Sequence, residues 1–105
     1  MAEAGMQPES EDPQLLGADP KHVDATLHWI GSSVSITLPT IGTDNTAASG
    51  ASWNGGGLTE NASTQRWDSS TSNEGDNALV ATYAGTRYSK TTIKRGDTSA
   101  SLTKS

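Results

Sequence analysis

The sequence predicts an all-β domain: a small antiparallel β-sandwich or open barrel of five to seven short strands, fronted by an extended acidic N-terminal arm. Three observations predict it. Apolar and polar residues alternate over 23–38, turn-forming Gly, Ser, Asn and Thr punctuate the rest, and no stretch holds a helical period of useful length. A chain of 105 residues is one domain. We divide it into an extended or disordered arm, 1–22, and a single β-domain, 23–105.

The arm carries Glu3, Glu9, Glu11, Asp12 and Asp19 between Pro8, Pro13 and Pro20, with Lys21 as its only base. Such acid-rich, proline-punctuated sequence does not fold alone. Leu15-Leu16 is its one apolar anchor and is read as a partner contact. In the first strand, Val23, Ala25, Leu27 and Trp29 share one face, while His22, Asp24, Thr26 and His28 share the other. Gly31-Ser32-Ser33 turns the chain. Val34, Ile36 and Leu38 alternate in the second strand, which Pro39 ends. The short link makes this pair an antiparallel hairpin.

Residues 42–65 are dominated by small turn-formers and read mostly as loop, with Trp53 and Leu58 pinning it to the core. Arg66-Trp67-Asp68 reads as a short strand, and 69–76 as loop again. Two strands then flank Ala84-Gly85, where Gly85 supplies the reversal. In the second of them Tyr88 and Ile93 have opposite parity, so either one face is only partly buried or a bulge lies near Ser89-Lys90. Thr98 to Leu102 reads as a last strand.

The interior is lean. There is no Phe, and apolar residues make up 31% of the chain. A small domain with little to bury is marginal on its own, so stability shared with neighbouring subunits is expected. With no cysteine, disulfides and thiolate metal sites are excluded. No run has the length of a membrane-spanning helix, and the N-terminus has no apolar signal region. Membrane insertion is not expected, and a virion or extracellular setting is favoured.

Charge is asymmetric. Residues 1–24 hold six acids and one lysine, whereas 86–105 hold Arg87, Lys90, Lys94, Arg95 and Lys104 against Asp97 alone. Ends of opposite sign attract within a chain or head-to-tail between chains. Nucleic acid is a poor partner for a chain of net charge −5. Arg95-Gly96-Asp97 has the residues by which an integrin-type receptor is engaged, and equally those of a plain turn. Asn61-Ala62-Ser63 fits a glycan acceptor pattern.

His22 and His28 are too far apart on one extended strand to share a metal ion, and Asn73-Glu74-Gly75-Asp76 lacks calcium-loop spacing. No metal and no cofactor is expected. There is no nucleophile elbow or phosphate loop. A carboxylate pair such as Asp68 and Glu74 is the one acid–base arrangement left open. The chain is therefore not expected to be an enzyme.

Arg66-Trp67-Asp68-Ser69, Glu74-Gly75 and Ala78-Leu79 resemble a stretch of the avidin and streptavidin barrels, and Trp29 with Gly31-Ser32-Ser33 is similar to their first strand and loop. That family lines its ligand pocket with further tryptophans. Since none follows Leu79 here, no site residue is carried over.

The expected function is a non-enzymatic structural or assembly protein acting through subunit contacts, such as a capsid-decorating component of a virion. Its expected partner-binding residues are Leu15, Leu16, Arg87, Lys90, Lys94, Arg95, Gly96 and Asp97. One alternative is a lectin-like or small-ligand-carrying module using Trp53 and Trp67. Another is an adhesion ligand acting through Asp97.

Overall fold

The computed structural model describes residues 20–105. Among them are nine strands: β1 (His22–Ile30), β2 (Ser33–Thr37), β3 (Gly50–Trp53), β4 (Gly56–Gly57), β5 (Glu60–Asn61), β6 (Arg66–Ser70), β7 (Asn77–Tyr83), β8 (Thr86–Ile93) and β9 (Ser99–Lys104). They form one antiparallel sheet in the order β4-β3-β7-β8-β9-β1-β2-β6-β5. The sheet curls into a half-barrel. Trp29 on β1 and Trp53 on β3 meet edge-to-face at 6.0 Å, although β7, β8 and β9 lie between their strands in the sheet.

Two expectations need correcting. The all-β class holds, but among the described residues the count is nine rather than five to seven, and of the sandwich and the open barrel the single curled sheet has the form of the second. The extra strands lie in 42–65, which composition assigns to loop. β3, β4 and β5 are two to four residues long and built largely from Gly, Ala, Ser, Glu and Asn. Such residues have little preference for strands. They are strands because β7 and β6 offer them main-chain partners: Trp53 pairs with Leu79, and Glu60 with Trp67.

Three tight turns set the registers. Gly31 (φ 60°) opens the two-residue β1–β2 turn, with Ile30 opposite Ser33. Asn54 and Gly55 (φ 51° and 85°) and Ala84 and Gly85 (φ 47° and 88°) are both left-handed pairs. That is the turn whose twist matches a two-stranded ribbon. Ala84 takes this conformation without a polar side chain to compensate, which costs about 1 kcal/mol.

β8 carries the bulge. Lys90 faces Leu79 and Ile93 faces Asn77, so Thr91 and Thr92 stand opposite Ala78 alone. The extra residue changes the parity of the strand. It lets Tyr88 and Ile93 both turn inward, where each is wholly buried.

The core is one cluster of fourteen apolar residues. It includes Leu27, Val34, Ile36, Leu79, Ile93 and Leu102 with Trp53, Trp67, Tyr83 and Tyr88. β7 alternates without a break, burying Asn77, Leu79, Ala81 and Tyr83. The segment 38–49 folds over one end of the half-barrel, with Leu38, Ile41 and Ala48 against the core and an isolated bridge between Ile41 and Thr46.

Candidate functional site

The two ends of the half-barrel differ chemically. At one end the chain enters, at Pro20. This end also carries the β7–β8 turn, the segment 38–49, the turn 62–65 and the C-terminus. We call it the entry end. The far end carries the turns at 31–32, 54–55 and 94–97 and the loop 71–76.

At the entry end two tyrosines hold backbone, Tyr88 that of the incoming chain and Tyr83 that of the segment after β2. The rings of Tyr83 and Tyr88 meet edge-to-face, with centroids 5.7 Å apart. The Tyr88 hydroxyl donates to the Pro20 carbonyl (2.9 Å), and the Tyr83 hydroxyl donates to the Pro39 carbonyl (2.7 Å). Pro20 is buried, and the Lys104 amide donates to the Lys21 carbonyl (2.9 Å). The start of the domain is thus fixed from inside by Tyr88 and along its edge by β9.

Burial, and secondarily the neighbouring Tyr88, push the Tyr83 hydroxyl from 10.0 up to about 12. The folded state holds this proton more tightly than the unfolded chain does. Its contribution is therefore complete below pH 10.0 and is lost as pH rises through about 12. Up to about 2 kcal/mol of stability should disappear across that window. Urea titrations at stepped alkaline pH should show the loss in the native chain and a flatter profile in Tyr83→Phe. Equal slopes in the two proteins would rule Tyr83 out as the source.

A groove of about 660 Å³ opens at the same end. Thr37, Leu38, Thr40 and Ala47 form one wall, and Glu60, Ala62, Thr64, Gln65 and Arg66 form the other. The second wall is shaped by Asn61, whose Oδ1 accepts the Ser63 and Thr64 amides (2.9 and 3.3 Å), and by Gln65 in the left-handed region. The glycan-acceptor asparagine therefore serves here as a turn-former. The register places Lys21, Arg66, Arg87 and Lys104 at this end, against Asp44 and Glu60.

The far end is internally neutralised. Lys94 pairs with Asp76, and Arg95 with Glu74 at 3.4 Å. Two of the four bases expected to face a partner are thus held by the chain's own 71–76 loop. Arg95-Gly96-Asp97 forms a turn: the Asp97 amide donates to the Lys94 carbonyl (3.0 Å) and Gly96 lies at φ 101°. The Asp97 carboxylate accepts the Lys94 amide (2.8 Å), and its carbonyl accepts the Trp29 indole N–H (2.8 Å).

Of the other partner-binding candidates, Arg87 is exposed on the outer face opposite Thr82, Lys90 is half-buried opposite Leu79, and Leu15 and Leu16 lie outside the described residues. Trp53 and Trp67 are 4% and 6% exposed. Neither ring is presented to a ligand, because a lean interior takes its bulk from them. The Trp53 indole N–H is buried without a partner.

The polar residue that sequence reasoning missed is Asn77, wholly buried on β7. Its Oδ1 accepts from Asn54 and Thr71 (both 2.9 Å), and its amide donates to the carbonyls of Ile93, Asn73 and Gly75 (3.1, 3.2 and 3.4 Å). Asn54 also accepts the Ala78 amide (2.8 Å). One side chain thus joins the β3–β4 turn, the 71–76 loop and the end of β8. Its signal was parity: an asparagine in phase with Leu79, Ala81 and Tyr83.

On the outer face His28, Ser35 and Asp68 lie in one row across β1, β2 and β6. The Ser35 hydroxyl donates to Asp68 (2.9 Å). This order leaves the serine bonded to the carboxylate instead of to the imidazole that would activate it. Asp68 and Glu74, the carboxylate pair, have separate partners. Among the described residues no three His, Asp or Glu side chains are grouped to hold a metal, and no helix is long and apolar enough to cross a membrane. Comparison with family models, curated proteins and solved structures found no match.

Proposed function

We propose that this chain is a non-enzymatic assembly protein whose N-terminal arm joins a half-barrel to its neighbours, as in a subunit that decorates a particle such as a virion. One observation carries the reading: Pro20 is buried and its carbonyl is bound by the buried Tyr88. The nineteen residues before it, with five acids, no base and the Leu15-Leu16 pair, therefore start from a fixed point on a rigid domain. A fixed root keeps its reach defined.

Light scattering across a concentration series tests this. The full chain should show a concentration-dependent mass above the monomer, and a chain beginning at Asp19 should remain monomeric. Raised salt should weaken the full chain's association. A full chain that stays monomeric up to about 100 μM, weaker than any ordinary specific contact, would sink the proposal. The ligand-binding alternative lacks its two tryptophans, both of which sit in the core.

A further inference from the structure

We infer that Asn54 is a deamidation site held in check by the far-end hydrogen bonds, so that the far end carries a one-way chemical switch. Asn54-Gly55 is the one Asn-Gly pair in the chain; Asn45, Asn61, Asn73 and Asn77 precede Thr, Ala, Glu and Ala. The reaction favours that pair. The main-chain nitrogen of the following residue attacks the side-chain Cγ, the side-chain nitrogen leaves as ammonia, and a cyclic imide forms. Water then opens the imide at one carbonyl or the other, giving aspartate or isoaspartate. Nothing is oxidised or reduced: amide and water become acid and ammonia. Glycine, with no Cβ, shields the attacking nitrogen least and bends most freely. Both residues of this turn are exposed, with open space where a side chain at Gly55 would stand, so solvent reaches the site.

The fold withholds the side chain from this attack. The Asn54 Oδ1 accepts the Ala78 amide (2.8 Å), and its Nδ2 donates to the Asn77 Oδ1 (2.9 Å). Both polar atoms are thus committed to β7, and the side chain must give up both bonds to swing onto its own chain. Asn77 cannot turn over to release it, because its amide donates to the carbonyls of Ile93, Asn73 and Gly75. Attack waits for the turn to come away from β7, so its rate follows the population of that opened state.

The same bonds make the product matter. An aspartate at 54 still accepts from Ala78 but has nothing to donate, and it sets a carboxylate against the Asn77 Oδ1, acceptor against acceptor. An isoaspartate lengthens the main chain by one carbon inside a turn built from two left-handed residues. Either product strains the side chain that ties down the 71–76 loop. That loop carries Asp76 and Glu74 to Lys94 and Arg95, so deamidation loosens the hold on both bases.

Peptide mapping at mildly alkaline pH tests this, with isoaspartate at position 54 as the readout. The native chain unfolded in guanidinium chloride should convert at least about tenfold faster than the folded chain, since only the opened state reacts. Asn77→Ala, shown to be folded by its near-ultraviolet circular dichroism, should convert several-fold faster than the native fold. Asn54→Asp should exchange amide hydrogens faster in 71–76 and at the β3–β4 turn, and no faster in the β1–β2 hairpin. Equal rates in the folded and unfolded native chain overturn the inference, and that comparison stands whether or not Asn77→Ala folds. So does an unfolded chain that converts Asn54 no faster than Asn45 or Asn61. A folded Asn77→Ala as slow as the native chain removes Asn77 as the gate. An Asn54→Asp protein with native exchange in 71–76 removes the switch.

Discussion

Tyr88→Ala is expected to cost about 4 kcal/mol, a large share of the roughly 5–15 kcal/mol that holds a small domain together. Tyr88 is wholly buried between Tyr83 and the inward face of β7, where it stands opposite Ala81. Removing its ring leaves a void in a core with few large side chains to collapse into it. Tyr88→Phe separates packing from anchoring. It keeps the ring and deletes only the hydroxyl that binds the Pro20 carbonyl, for about 1 kcal/mol. Because that bond fixes the start of the arm, Tyr88→Phe should also weaken association while leaving the fold intact. Urea melts and light scattering on both variants check the pair. A phenylalanine variant as unstable as the alanine one would show the hydroxyl, and not the ring, to be the main contribution. One that associates like the native chain would show the anchor to be irrelevant to assembly.

Asn77→Ala should cost about 3 kcal/mol. The substitution strands two donors, from Asn54 and Thr71, and three carbonyl acceptors that Asn77 now satisfies. The position is buried, so water cannot replace these bonds without opening the structure. The damage should centre on the far end. Hydrogen exchange should accelerate in 71–76, at the β3–β4 turn and at Ile93, while the β1–β2 hairpin retains its protection. Uniform loss of protection across the sheet would mean that Asn77 supports the whole fold rather than this end. A loss under about 1 kcal/mol would mean that its bonds are readily replaced.

The sequence disclosed the fold where a strand has an apolar face long enough to declare its period. His22–Ile30 and Ser33–Thr37 alternate cleanly and form the expected hairpin. The reversal at Ala84-Gly85 sits where glycine permits it, and the parity conflict between Tyr88 and Ile93 is resolved by a bulge two residues beyond Ser89-Lys90. Composition misled in 42–65. Asn54-Gly55 is itself a strong hairpin signal, but it opens a run of three glycines and its flanking strands have almost no apolar face. The charge asymmetry was visible, yet Lys94 and Arg95 find their acids through the loop that Asn77 ties down, a contact that no linear reading reveals. Trp53 and Trp67 were open to either role until the shortage of other bulk assigned them to the interior.

The pairing of β9 with β1 has a consequence for how the molecule comes to exist. The first and last of the described strands are neighbours deep within the sheet, joined from Ser99 opposite Thr26 to Thr103 opposite His22. Nothing made soon after His22–Thr26 can complete its hydrogen bonding, because the segment that satisfies it, Ser99–Thr103, lies far along the chain. The hairpins can form as they appear, but closure waits for β9, and contacts so distant in sequence make it slow. Until then, the future centre of the sheet is an open edge.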